Sequence, residues 1–432
     1  MGAPAASPLG RSLLDDCVHC GFCLPVCPTW INWSEEMDSP RGRIDLLRGV
    51  RDGKLEMNGT VALHLDRCLG CMACLTACPS GVRYDLVIEE ARAERERQVP
   101  RGLLDRLHRA VLFALFTHPR RLRLLAALLF LYSRSGLQWL LRGSGLLRLI
   151  SARLANLEAL VPRIGIASLA PRLPGTWPAA GERRARVGLV TGCVQGVFFP
   201  NVNAATARVL VAEGCEVVVP PGQGCCGALS THAGRLDESR RLVRGLVERF
   251  EAVEVDLVVI NSAGCGSHLK DCERLFEGDA FQPRAAAFSR KVRDVNELVA
   301  SLPPRAVRHP IQARVAYHSP CHLGHAQRLT VPPRALLRAI PGLELVEVPD
   351  GDQCCGSAGI YNLVQPVSAD LIGARKAAAV LATGASWLAS GNPGCTLHIQ
   401  GRLRERGADI QAVQPIEILD ASIRAASQPG GD

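Results

Sequence analysis

Cys17, Cys20, Cys23 and Cys27, followed by Pro28, recur as Cys68, Cys71, Cys74 and Cys78, followed by Pro79. Both runs read C-x2-C-x2-C-x3-C-P, a spacing that wraps a short loop round an iron–sulfur cubane and presents three thiolates to three irons. Pro28 and Pro79 fix φ and lack an N–H, so each turns the chain out of its loop. Gly21, Gly70 and Gly81 let backbone amides approach inorganic sulfide with no Cβ in the way. Structural zinc is the competing chemistry, but zinc knuckles bring two ligands each and set the pairs far apart in sequence. Disulfides fit worse, because so dense a run would scramble and the preceding residues do not read as a secretory signal. The first expectation is therefore electron transfer, with no catalytic residue in these loops.

A second cysteine repeat lies further along. Cys193, Cys225, Cys226 and Cys265 return as Cys321, Cys354, Cys355 and Cys395, at offsets of 128 to 130 residues. Each double cysteine precedes a glycine, Gly227 or Gly356. Four soft thiol ligands per half suffice for a further iron–sulfur cluster; redox-active or merely buried thiols are the alternative. His318, His322 and His325 surround Cys321. Hydrogen-bonding or core roles are expected of them, with metal ligation or proton transfer to a quinone as the alternative. Cys215 and Cys272 fall outside both repeats and read as core residues.

The elements that must position these residues follow from periodicity. Ser39 reads as an N-cap ahead of Pro40 at the first helical position, opening a helix between the two cysteine runs. Residues 84–98 read as a charged helix with Glu/Arg pairs, ended by Pro100. From 185 onward, strands at 186–191, 216–219, 256–261 and 314–318 alternate with helices, which predicts parallel βαβ layers. The single cysteines follow predicted strands, at the carboxyl end where open α/β sheets bind ligands. The fold expected is multidomain, α+β with α/β. It comprises a two-cluster α-helical domain over 1–100, a basic leucine-rich helical segment over 101–184, and half-domains over 185–305 and 306–432. Pseudo-symmetry between the halves would bring their loops over one crevice.

The chain has 432 residues and a net charge of +9. Residues 101–175 hold twelve arginines, no lysine and two acids (Asp105 and Glu158), so they carry +10 and the remainder −1. Aromatic residues make up 4 %, too few for base stacking, and nucleic acid is not expected as a partner. The apolar run 124–132 is far shorter than the ~20 residues a membrane span needs. Its interleaving with arginine fits contact with a membrane surface; packing on a partner subunit is the alternative. Eighteen cysteines imply a reducing, cytoplasmic setting, with peripheral attachment to the inner face of the cell membrane as a further expectation. Gly143-Ser-Gly145-Leu-Leu-Arg148 lacks the third glycine of a dinucleotide fingerprint, so a flavin is expected on a partner chain.

The eleven-residue runs resemble the ligand pattern of bacterial two-cluster ferredoxins. That resemblance implies crossed ligation of two [4Fe–4S] clusters. Cys17, Cys20, Cys23 and Cys78 would hold one, and Cys68, Cys71, Cys74 and Cys27 the other. The later repeat resembles the cysteine-rich "CCG" family of heterodisulfide reductase subunits, whose pattern is C…CCG…C-x2-C. Here Ser262 and Asn392 stand where the first cysteine of the last pair should be. The whole arrangement resembles the glycolate oxidase (glycolate dehydrogenase) iron–sulfur subunit family, with local matches at Ser39-Pro-Arg-Gly-Arg-Ile44, Asn203-Ala-Ala-Thr-Ala-Arg208, His325-Ala-Gln327 and Cys354-Cys-Gly-Ser-Ala-Gly359. It implies an oxidoreductase subunit that takes electrons from FAD-containing glycolate oxidase subunits and passes them to a membrane acceptor, quinone. The alternatives are the equivalent subunit of a lactate-utilisation or glycerol-3-phosphate dehydrogenase complex, a heterodisulfide-reductase-type thiol enzyme, and a non-redox zinc scaffold.

Overall fold

A computed structural model describes residues 11–145 and 175–425, with isolated positions between these stretches and at 429. The part of the basic segment from 146 to 174 thus falls largely outside the described residues.

The N-terminal region is helical. Helices Pro40–Arg51, Gly59–Arg67 and Tyr84–Gln98 enclose a core of Leu14, Ile44, Leu47, Leu65, Val87 and Ile88. Ser39 caps the first of these, accepting from the Gly42 amide at 3.0 Å, and Asn58 caps the second. Arg43 is a fully buried cation in this core. It is tolerable because the equally buried Asp38 carboxylate lies 3.4 Å away, while the His64 carbonyl accepts from its Nε at 2.7 Å.

The C-terminal region contains two sheets. The first has the order β1-β3-β2-β4-β5, where β1 is Thr176–Trp177, β2 Ala185–Val190, β3 Cys215–Val218, β4 Leu257–Ile260 and β5 Val292–Asp294. The second has the order β7-β6-β8-β9, where β6 is Ala313–Tyr317, β7 Leu343–Glu347, β8 Trp387–Ala389 and β9 Gln411–Val413. All pairings are parallel except β1 with β3, a short antiparallel edge ahead of the first strand read from the sequence. Without β1, the two sheets share one strand order: second, first, third, fourth.

Each half has a core cluster of its own, and the two share a third. Val187, Leu189 and Val259 from one sheet pack in the same cluster as Val315, Tyr317 and Val413 from the other. Helix Pro200–Ala212 lies along helix Pro415–Ile423, fastened by Arg208 to the buried Asp420 through bonds of 2.9 and 2.7 Å.

Helices Leu103–Phe116, Pro119–Arg134 and Leu137–Ser144 join the two regions. Leu122 and Ala126 pack on Val197 of the first half, and Leu112 and Phe113 on Ile360 of the second. Their other faces leave Leu103, Leu104, Leu107, Leu124, Leu128 and Trp139 exposed, Leu104 at 81 %. Among the described residues no helix is long and apolar enough to cross a membrane.

Candidate metal centres

In both N-terminal cysteine runs the residues on either side of the second cysteine are left-handed. They are His19 (φ 56°) and Gly21 (φ 87°) in the first run, and Gly70 (φ 63°) and Met72 (φ 63°) in the second. Glycine occupies opposite members of the two pairs, so the common backbone is hidden in the sequence.

Cys27 from the first run joins Cys68, Cys71 and Cys74 around one cavity, with Arg43, Tyr84 and Gly70 also on its wall. Cys20 is exposed and Cys17, Cys23 and Cys78 are half-buried. Cys17 and Cys78 pack against the same core cluster. Burial pushes the Cys68 thiol upward, but Arg43, Arg92, the Gly70 amide and the Tyr84 hydroxyl outweigh it and bring Cys68 below its ordinary range. Burial and the neighbouring cysteines push Cys74 well up. Crowded thiols, two buried arginines and approaching amides form a donor set suited to a cluster with net negative charge, which is the test the residues must meet.

Each C-terminal half gathers its own thiols at the carboxyl ends of its strands. Cys193 follows β2, Cys225 and Cys226 follow β3, and Cys265 begins the helix after β4. The sulfurs of Cys193 and Cys225 lie 3.6 Å apart, and those of Cys226 and Cys265 lie 3.0 Å apart. In the second half, Cys321 lies against Cys354, and Cys355 against Cys354 and Cys395. The glycine after each double cysteine donates its amide to the first thiol, Gly227 to Cys225 at 3.4 Å and Gly356 to Cys354 at 3.5 Å. Both are left-handed, at φ 89° and 94°, a conformation that favours glycine. Hydrogen bonds from the thiols of Cys193 and Cys226 hold Cys225 well below its ordinary range, while Cys193 and Cys226 are pushed up.

The halves meet between their third loops. The Ala263 amide donates to the Gly391 carbonyl at 3.1 Å, and the Gly264 amide to Asn392 Oδ1 at 3.3 Å. Asn392 also donates from Nδ2 to Cys395 Sγ at 3.4 Å. The residues that replace cysteine in the family pattern, Ser262 and Asn392, thus face each other at 3.5 Å.

The second half also abuts the N-terminal region. Cys71 lies against Cys354, and contact with that thiol, then burial, pushes Cys71 well above its ordinary range. The Tyr361 hydroxyl donates to the Arg67 carbonyl at 2.9 Å, and His322 Nε2 to the Gly70 carbonyl at 2.9 Å. Arg92 donates to the carbonyls of Cys68 and, at 2.8 Å, His232.

Of the three histidines around Cys321, His322 and His325 serve as hydrogen-bonding residues. His325 Nε2 donates to the Asp352 carbonyl at 3.0 Å, and its Nδ1 lies 2.8 Å from Thr76 Oγ1. His318 is wholly buried and differs from both. Cys215 and Cys272 are core residues. His268 and His398 belong to no motif read from the sequence, although their spacing of 130 matches the repeat. Each sits behind its Cys-Cys-Gly loop, and burial lowers each to about 4.

The fold and these loops define a class: an iron–sulfur protein in which a helical dicluster unit is joined to a duplicated cysteine-rich α/β unit. Residues 13–82 match a 4Fe-4S dicluster domain, and residues 187–270 and 315–400 each match a cysteine-rich domain. Residues 104–161 match the linker region of the glycolate oxidase iron-sulfur subunit. The chain is 38 % identical over 416 residues to a probable glycolate oxidase iron-sulfur subunit of Bacillus subtilis, covering 95 % of this chain and 94 % of that one. It is 32 % identical over 399 residues to the glycolate oxidase iron-sulfur subunit of Escherichia coli, covering 90 % of each. Lactate utilization protein A of Macrococcus caseolyticus is 32 % identical over 245 residues, 56 % of this chain and 99 % of that one. The chain belongs to the glycolate oxidase iron–sulfur subunit family, and [4Fe–4S] clusters are its cofactors.

Proposed function

We propose that the chain is the electron-transfer subunit of a 2-hydroxy-acid dehydrogenase complex, glycolate being the substrate its relatives' names favour. It takes electrons from an FAD-containing partner subunit and delivers them to quinone at the membrane. The observation that carries this reading is the seat of Cys71 against Cys354, which leaves almost no gap between the ferredoxin ligands and the cysteine-rich region. Bound iron–sulfur clusters supply one-electron steps. The ligands we assign are Cys17, Cys20, Cys23 and Cys78 for one cluster and Cys68, Cys71, Cys74 and Cys27 for the other; the eight cysteines of the two halves are candidates for further metal. Arg43 and Arg92 compensate negative charge, and the surrounding core shields Cys27 and Cys68 from water.

The exposed leucines and Trp139 on the joining helices, flanked by arginine, support an anionic membrane surface as the place of delivery. Sedimentation with anionic vesicles at low salt, lost at high salt, is the expected outcome; no binding at low salt removes the membrane from the reading. The main test is anaerobic co-purification with iron, sulfide and flavin quantified, followed by activity with glycolate, D-lactate and glycerol 3-phosphate. Iron, a copurifying flavoprotein and glycolate preference are expected. Activity confined to D-lactate or glycerol 3-phosphate reassigns the substrate, and absence of iron overturns the reading.

A further inference from the structure

His318 directly follows β6 and is a fully buried side chain. Neither ring nitrogen has a hydrogen-bond partner of normal geometry among the described residues, although the Lys376 ammonium, the Gly351 backbone and Asp352 are near enough to act on its charge. A buried imidazole with both nitrogens unpaired carries a desolvation cost that folding alone does not offset. What it faces is sulfur. One ring nitrogen of His318 and the sulfurs of Cys355 and Cys395 all lie within 4.8 Å of one another. Metal bonds of about 2.0–2.3 Å place neighbouring tetrahedral ligands roughly 3.5–3.8 Å apart, so a small inward movement would close this group on a metal.

The first half has no such group. At the repeat's offset of 128, the position of His318 is taken by Val190, buried beside Cys193, Cys225 and Cys226. A second buried polar residue follows the same pattern. Lys376 is 4 % exposed and close enough to Cys321, Cys355 and Cys354 for their charges to act on it; at an offset of 130 the first half has Leu246. A buried cation at this place would offset the negative charge of thiolates bound to a metal. Asn392 Nδ2 on Cys395 Sγ adds the kind of outer hydrogen bond that orients a metal ligand.

We propose that the second half binds its metal through an imidazole as well as thiolates, with His318 joining Cys355 and Cys395 as a ligand. The inference rests on the reading that these loops hold metal. Iron in an iron–sulfur centre and zinc both accept mixed nitrogen and sulfur ligation, and the experiment separates them. In the iron case, replacing thiolate by imidazole raises the reduction potential, so this centre would be the easier of the two halves to reduce.

The test uses the full chain purified anaerobically with its partners. Iron, sulfide and zinc are quantified, and dithionite-reduced protein labelled with 15N-histidine is examined by pulsed electron paramagnetic resonance. A strong 15N coupling is expected if the metal is iron; if it is zinc, zinc-edge X-ray absorption is expected to show a mixed nitrogen and sulfur shell. His318→Val, which copies the first half, should lose that signal and the metal of the second half while retaining the iron of the N-terminal cysteines. His318→Cys should restore the metal with an all-sulfur shell. A wild-type protein whose second-half metal shows no nitrogen ligand, or which has no metal there, overturns the inference without needing a variant. In both outcomes retained N-terminal iron leaves the electron-transfer reading standing, whereas loss of all iron removes that reading itself.

Discussion

Strand for strand the two cysteine-rich halves are copies, β3-β2-β4-β5 against β7-β6-β8-β9, yet their equivalent thiols have different neighbours. Cys225 lies against Cys193 and Cys226 within its own half, whereas Cys354 also meets Cys71 of the ferredoxin region. Cys193 opens an ordinary helical turn, Val194–Phe198; Cys321 opens a π turn, His322–Ala326, of the kind that recurs at functional sites. Duplication supplied one scaffold, and contact with the N-terminal region set one copy beside the ferredoxin ligands. The lesson is that a repeat carries its backbone requirements with it, while its neighbours decide which copy is wired to what.

The largest effect should come from the thiols themselves. Cys354→Ala is expected to lower substrate-driven reduction of a quinone analogue by more than the roughly 10–100-fold typical of outer-shell changes, and Cys225→Ala by less. Equal losses in steady-state assays would mean that both halves carry the current alike.

The Cys-Cys-Gly glycines come next. A Cβ on Gly356 would meet the Ala369 carbonyl at 2.8 Å, whereas one on Gly227 would meet the Ser239 hydroxyl at 2.6 Å. Backbone cannot move aside and a hydroxyl can, so Gly356→Ala should cost about 2–4 kcal/mol and Gly227→Ala about 1–2 kcal/mol. Chemical denaturation measures both, and reversal of the order would place the rigid wall in the other half.

The helix caps after the fourth strands give a smaller contrast. The first half uses Asp294 with Glu297, and the second uses Gln414 with Glu417. Burial raises Asp294 from 3.8 to about 6. A raised acid contributes stability that is present below about pH 4 and lost as pH rises through about 6, because the native state then holds a buried charge. An asparagine at this position would cap equally well without titrating. Asp294→Asn should therefore match wild type near pH 4 and exceed it by on the order of 2 kcal/mol near pH 8, measured by denaturation across pH. An unchanged pH profile would show that burial does not raise Asp294 in the folded state. Smallest is Arg208→Ala at the junction of the halves. Arg424 still pairs with Asp420 at 3.1 Å, which limits the expected loss to about 1 kcal/mol.

Much of the molecule was legible because local rules and short motifs act within a few residues. Ser39-Pro40, the span 84–98 and the alternating strands all follow from capping, periodicity and turn chemistry. The left-handed backbone shared by His19 and Gly70, and by Gly21 and Met72, was not legible, since His and Met advertise no such conformation. Nor was the expectation of one crevice wholly met: the third loops do meet at Ser262 and Asn392, but the sulfur contacts gather within each half.

Sequence alone determined the two ligand runs, the duplicated cysteines and the parallel α/β class, because ligand spacing and hydrophobic period are local properties. The ferredoxin-like spacing already leads to the expectation that Cys27 joins the second run, and the structure lines one cavity with those cysteines. Only the tertiary structure decided that the second half would meet Cys71 and that His318 would face Cys355 and Cys395. Those pairings bridge up to hundreds of residues. They depend on how helices and sheets share a core, which no local spacing encodes.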